Sequence, residues 1–578
     1  MWLAVLTAGC SRSPSERFAQ LSKEFIDTTL SFSPSLATSV GLHQYQKQDL
    51  DSILDGVGAE SLDRQKHFYE DFQGRLQALD TKKLSAEDQA DMAMLQDQCS
   101  LALMDFNELH SHLHNPTLYV ETLGNALFSP FVLEYAPRPV RFRKLIARLE
   151  QVPLFLDQAS NNLISAPGIW TKVAIQENDG NIDLVNQTIR AAMPPELSQD
   201  FAKASATALA AMHKFGDYLR NSLSNRDNAD WRLGHDRYTR RFRYVLETGV
   251  EADSALADAE RELDSVRAQM FRLATPLHRQ MFPEHKEHAD LSGDALKNQV
   301  IGEVLNKIAE RHGTPESYLD DARNDLEEAR SFVQQKRLLT LPARSNLQVI
   351  PTPDFMRGVY SVGGFNPAPA LEPQLGAFYW ITPIPSTWPK ERIDSKLREY
   401  NFYGLKLLTL HEAMPGHYVQ FEFANDVQPP TRRVLRSVLG NNPYVEGWAV
   451  YATQMMLEEG YLDNSPELAL TFAKHMLRVI ANTILDVRLQ MLNMSDQEAL
   501  DLMENQTFQE KEEATEKLQR AKLTNCQLPV YFVGWQGWVK LRDEYRRRKG
   551  AAFHLAAFHD AALREGAVPL PWMEKLIQ

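Results

Sequence analysis

The sequence is poor in cysteine, with three in 578 residues. That is too few for a disulfide framework, and without a Cys-x-x-Cys pair a cysteine-built zinc site is not expected. Basic charge is also short. Lys plus Arg total 62 against 76 for Asp plus Glu, a net charge of −14, the reverse of the basic excess of a nucleic-acid binder. The one dense basic stretch, Arg546-Arg547-Arg548-Lys549, reads as the solvated end of a helix, where cations suit the dipole; a polyanion or lipid-headgroup contact is its other reading. Beyond the N-terminal run, no segment approaches about eighteen consecutive apolar residues, so no membrane-spanning helix is expected. No P-loop glycine motif is present. Ser361, in Gly358-Val359-Tyr360-Ser361-Val362-Gly363, misses nucleophile-elbow spacing, which argues against a serine hydrolase.

What remains is an ordinary globular composition, 43% hydrophobic and 24% charged, which excludes a disordered or fibrous chain. Cys99 lies in the apolar helical stretch from Met92 to Met104 and reads as a buried, inert thiol; Cys526 has no partner nearby in sequence. Cys10 ends the apolar run Leu3-Ala4-Val5-Leu6-Thr7-Ala8-Gly9 and is followed by Ser11, Ser13 and Ser15. Small residues before such a cysteine resemble a bacterial lipoprotein signal, although Thr7 replaces a commoner aliphatic residue and no Lys or Arg precedes the run. The expectation is a signal segment over residues 1–10 ending at a lipidated Cys10. The protein would then be held in the bacterial envelope, with Ser11 resembling the outer-membrane pattern. The other reading is the frayed N-terminus of a cytoplasmic protein.

From about Ser15 to Gln335 apolar residues recur at three- and four-residue spacing, helix after helix. Ser85-Ala86-Glu87-Asp88 and Thr314-Pro315-Glu316 are helix starts. Between Leu341 and Pro389 prolines and glycines multiply, and two extended runs, Leu347–Ile350 and Ala377–Thr382, predict strands of a small sheet. Helices resume to the C-terminus. The fold class is mainly α, with an N-terminal helical lobe over 11–340 and a C-terminal lobe over 341–578 that carries the chemistry.

An amphipathic helix is predicted from Lys390 to Ala413, ending in His411-Glu412-Ala413-Met414-Pro415-Gly416-His417. Two histidines four apart on a helix would face one metal, with the glutamate beside the first near the metal's water. Here they are six apart, about 120° out of register on an ideal helix. Pro415 breaks the helix by removing an N–H, and Gly416 is expected to tolerate the backbone angles that bring His417 back, giving a bulge between the ligands. Glu446 follows in the first turn of another helix, Asn442-Pro443-Tyr444-Val445-Glu446-Gly447-Trp448-Ala449, among apolar residues where an unpaired carboxylate is costly. His411, His417 and Glu446 with a water make a catalytic zinc shell. A helix-end cap pair for the histidines and a surface position for Glu446 remain the plain alternatives.

His-Glu-x-x-Pro-Gly-His followed by Glu-Gly-Trp-Ala resembles domain-of-unknown-function family 885, a bacterial group with many candidate lipoproteins, itself similar to gluzincin peptidases. The resemblance covers most of the chain. It includes Ser33–Thr38 with Gly41-Leu42-His43, then Tyr531-Phe532-Val533-Gly534, then His559–Gly566. Tyr418 stands where members often carry a second histidine, and Cys526 and Pro529 before the tyrosine motif are unusual.

The resemblance implies a two-lobed metallopeptidase-like fold with a deep central cleft, a bound zinc, and hydrolysis of small peptides. Glu412 would be the base, and Tyr531 or His559 the donor to the oxyanion; core roles for both remain open. Arg542 is a candidate for a peptide carboxylate, with an ordinary salt bridge as its other reading. The Ala377–Thr382 strand is expected to offer its edge to an extended peptide. Nucleic acid is excluded as a partner, and membrane contact is expected only through Cys10. The rival function is a peptide- or metal-binding lipoprotein with a degenerate site, against which Glu412 argues, because a binder needs no base.

Overall fold

Apolar spacing becomes helix along nearly the whole chain in the computed structural model, which describes residues 13–577 apart from 227–228, 285–287, 289, 353–356 and 358–361. The readings at Cys10 and Ser361 lie outside the described residues. The predicted Ser85 start is an N-cap whose side chain accepts from the Asp88 amide at 3.1 Å. The start predicted at Pro315 shifts to Tyr318, with Ser317 before it.

A two-stranded ribbon pairs β1 (Gln44–Tyr45) with β2 (Gln48–Asp49). The second sheet has three strands, β3 (Leu347–Pro351), β4 (Gly363–Asn366) and β5 (Ala377–Ile381), in the order β3-β5-β4. β5 is parallel to β3 and antiparallel to β4. Its centre is buried, with Tyr379, Trp380 and Ile381 almost inaccessible. Both sides of β5 are occupied, which corrects the expectation that Ala377–Thr382 presents an edge: the outer edges of the sheet belong to β3 and β4.

Buried apolar residues form two clusters. The smaller is local to residues 119–223. The larger joins Phe18, Phe25 and Leu95 from the first hundred residues to Leu410, Trp448, Leu485 and Trp538. Helices on both sides of residue 340 therefore share one core, and the lobe division expected there does not coincide with a break in packing.

The Pro466–Met491 helix is long and apolar enough to cross a membrane by composition, but 72% of its most apolar window is buried inside the protein. It packs against the Ala252–Met281 helix and serves as a core column. Cys99 and Cys526 are both buried free thiols.

Candidate metal centre

Asn401 breaks the long helix predicted over 390–413 into Lys390–Glu399 and Phe402–Glu412. Its side chain accepts from the amides of Tyr403 and Gly404 at 3.0 and 3.2 Å, an N-cap for the second piece. That second helix is tied to the sheet through a 3.1 Å contact between the hydroxyls of Tyr379 and Thr409. It ends in His411-Glu412, because Pro415 has no amide for the His411 carbonyl. The amides of Ala413 and Met414 both return to the Thr409 carbonyl, at 3.0 and 3.1 Å, and the Gly416 amide donates to Leu410. A new helix, His417–Ala424, starts at once.

The two histidines thus stand on separate helices flanking a turn, instead of on one bulged helix. Gly416 has φ −69°, and its contribution is room: a Cβ there would lie 1.8 Å from the His411 carbonyl oxygen.

The third donor comes from the Asn442–Glu458 helix, N-capped by Asn441. The same helix holds the turn in place. Trp448 Nε1 donates to the carbonyls of Pro415 and Gly416 at 3.0 and 3.2 Å. Glu446 is thereby locked against both histidines.

His411 Nε2 lies 3.6 Å and His417 Nε2 3.4 Å from the same oxygen, Glu446 Oε2. The rings are nearly perpendicular, at 84°. A charge-assisted hydrogen bond would measure about 2.7–2.9 Å. Ligands held about 2.0–2.1 Å from a tetrahedral ion sit about 3.3–3.4 Å apart. The observed spacing matches the second geometry. Glu446 Oε2 is buried without a hydrogen-bond donor, as are both histidine Nδ1 atoms. An orphaned buried carboxylate oxygen is costly, and a shared cation satisfies it. Burial opposes ionisation of Glu446, yet the imidazoles of His417 and His411 hold its carboxyl well below the usual range. Burial likewise opposes the His417 cation, and Glu446 outweighs it, raising the pKa. The residues therefore fit a divalent ion in a two-histidine, one-carboxylate shell with one position open.

A second His-His-Glu group makes a useful contrast. His278 and His288 approach Glu303 Oε2 at 2.7 and 3.0 Å, and Gln299 donates to its other oxygen at 2.7 Å. Those are hydrogen-bond lengths, and the group reads as a bonded cluster.

Over residues 34–577 the sequence matches the family described as bacterial protein of unknown function, DUF885. The chain belongs to this family. No curated protein matches it. Among solved structures, a candidate lipoprotein of unknown function from Shewanella oneidensis is 28% identical. It superposes with a TM-score of 0.79 over 97% of this chain and 99% of its own. A candidate lipoprotein from Colwellia psychrerythraea, 18% identical, reaches 0.78 over 98% of each chain and shows the same fold.

In this DUF885 chain the three donors open onto a cavity of about 1980 Å³, which Glu412 and Tyr531 also line. The Tyr531 phenol is pushed up to about 12, by burial first and then by the charge of Glu446, so it is a proton donor at neutral pH. Its place is set by a helix crossing. A Cβ on Gly447 would fall 2.3 Å from the Gly534 backbone, and one on Gly534 would fall 2.0 Å from the Pro443 carbonyl oxygen. Both glycines allow the Asn442–Glu458 and Pro529–Lys549 helices to touch, bringing Tyr531 alongside Glu446.

His559 is placed elsewhere. Its Nδ1 meets the Leu338 carbonyl at 2.7 Å and its Nε2 the Tyr451 hydroxyl at 2.8 Å. It is fully buried against Trp448 and Phe558, and burial pushes its pKa down to about 4. With both nitrogens used and no place in the cavity lining, it is a core hydrogen-bonding residue, which corrects its candidacy as an oxyanion donor. Arg542 pairs with Glu458 at 2.6 Å, also outside the lining.

Three cavity residues carried no sequence signal: His475, Lys517 and Arg520. The His475 ring centroid is 6.2 Å from that of His411. Burial, together with His411, Arg478 and Lys517, pushes His475 down to about 3, so it is neutral. Within its helix it resembles any core residue between Leu470 and Leu477.

Proposed function

We propose that the chain is a zinc-dependent peptidase of gluzincin-like type, acting on small peptides within the cavity that the metal centre faces. The observation that carries this reading is the pair of imidazole-to-carboxylate distances of 3.4 and 3.6 Å, a tetrahedral edge and not a hydrogen bond. His411, His417 and Glu446 would hold the ion. When bound, zinc supplies Lewis acidity to a carbonyl and acidifies water. Glu412, beside the first ligand and on the cavity wall, would accept the water proton and return it to the leaving amine. Tyr531, a neutral phenol next to Glu446, would donate to the developing oxyanion. The outer edge of β4, where Gly363, Gly364 and Phe365 line the cavity, would pair with an extended peptide backbone.

A lipid anchor at Cys10 and a place in the bacterial envelope, on the periplasmic side of the outer membrane, complete the proposal. The Shewanella relative's description as a candidate lipoprotein supports it.

Hydrolysis of a mixed peptide pool, followed by mass spectrometry with and without chelator, tests the activity. Chelator-sensitive cleavage is expected, with zinc retained but turnover lost in Glu412→Gln, and both lost in His417→Ala. Undiminished cleavage by Glu412→Gln removes the proposed base. Peptide binding without any cleavage favours the degenerate binding protein.

A further inference from the structure

One wall of the cavity, built by the Pro466–Met491 and Lys511–Leu523 helices, is crowded with charge. Most of it is paired. Lys474 meets Glu399 at 2.7 Å, and Arg478 meets Glu513. Lys517 is different. Among the described residues its ammonium has no ion-pair partner, and its hydrogen bond is to the neutral Asn482 Oδ1 at 3.1 Å. Glu513, one turn earlier on its own helix, is taken by Arg478. Arg520, on the same helix face and exposed to the cavity, donates to the neutral Gln527 at 3.1 Å.

Lys517 is 7% exposed and Asn482 5%. An ammonium has three donors, and burying it with one neutral acceptor is expensive unless an anion completes the site. Burial, with Arg478 and Arg520 nearby, drives its pKa well below the ordinary lysine value. A lysine serving only solubility would reach bulk water.

We propose that Lys517, with Asn482 and Arg520, is a recognition subsite for a peptide carboxylate within the cavity of the metal centre. The identity of the ligand rests on the peptidase reading. The carboxylate is that of the chain terminus or of an aspartate or glutamate side chain, and the two are separable.

The probe is a set of random pentapeptide libraries incubated with full-length Glu412→Gln protein, with retention on ultrafiltration measured by mass spectrometry. The first library lacks Asp and Glu and has a free C-terminus, the second is the same but amidated, and the third is amidated and contains Asp and Glu. Retention of the first or third about ten- to hundredfold above the second is expected. It identifies the terminus or the side chain as the source.

Lys517→Met should erase the difference and should not lower Tm, because it removes an uncompensated charge. Lys517→Gln keeps a donor for Asn482 and covers a poorly folded methionine variant. Equal retention of all three libraries, retention of none, or a preference that survives both substitutions overturns the subsite. Cleavage of amidated peptides by the unsubstituted protein without carboxylate preference rejects the subsite and keeps the peptidase. Preference without cleavage does the reverse.

Discussion

Gly447 and Gly534 meet backbone to backbone where two long helices cross, close enough that a methyl group on either would clash with the backbone of the other helix. The contact sits one residue after Glu446, the carboxylate of the candidate metal centre, and three after Tyr531, the proposed phenol donor. It sets how far apart Glu446 and Tyr531 stand.

Gly534→Ala is therefore expected to force the helices apart and lower stability by about 1–3 kcal/mol or more, the usual cost of overpacking. Metal content should fall with it. Gly74 is the control: nothing lies within 4 Å of its would-be Cβ, in the last turn of the Ala59–Gln77 helix. Gly74→Ala should raise stability by about 0.5–1 kcal/mol. Urea denaturation midpoints and metal analysis check both.

A pH dependence follows from Glu247. Its buried carboxyl is pushed up to about 8 from 4.5, chiefly by burial and further by the neighbouring Asp97, itself pushed up to about 6 by burial. The folded state thus holds protons that the unfolded chain releases. Stability from this group is fully present below pH 4.5 and is lost as pH rises toward about 8. Replacing Glu247 by Gln should make the variant progressively more stable, relative to the unsubstituted protein, across that window, by up to about 1.4 kcal/mol per pH unit. Asn441 donates to Glu247 at 2.8 Å and caps the helix that carries Glu446, so the same titration should be felt at the candidate metal centre. Denaturation at pH 5, 6, 7 and 8 measures the slope, and parallel curves would refute it.

His559→Ala should cost about 2–3 kcal/mol by stranding the Leu338 carbonyl and the Tyr451 hydroxyl in the core. Metal content and peptide affinity should be unchanged in the folded fraction. A loss of turnover at intact stability would return His559 to the chemistry.

Helix existence was legible because apolar spacing is a local signal, and the helices Arg138–Asn162 and Ala252–Met281 fall in the stretch where that spacing runs unbroken. The convergence of His411, His417 and Glu446 was legible because their motifs bundle a candidate donor with the glycine or proline that shapes its turn. The structure brings all three together. The break at Asn401 was missed although an N-cap asparagine announces it. The order β3-β5-β4 was hidden because strand runs do not encode their neighbours. His559 misled for the opposite reason: a histidine with two satisfied nitrogens looks, in sequence, like one with a task. Lys517 gave no signal because burial of a charged side chain is decided by elements packed from elsewhere.

The larger buried cluster, drawn from both chain ends, has a consequence for how this protein is handled and how it evolves. A fragment beginning at residue 341 would keep every proposed metal ligand and lose Leu95, Phe25 and Phe18, part of the core on which its helices rest. The ligand-bearing half is not a transplantable cassette, and its inheritance is tied to that of the first hundred residues.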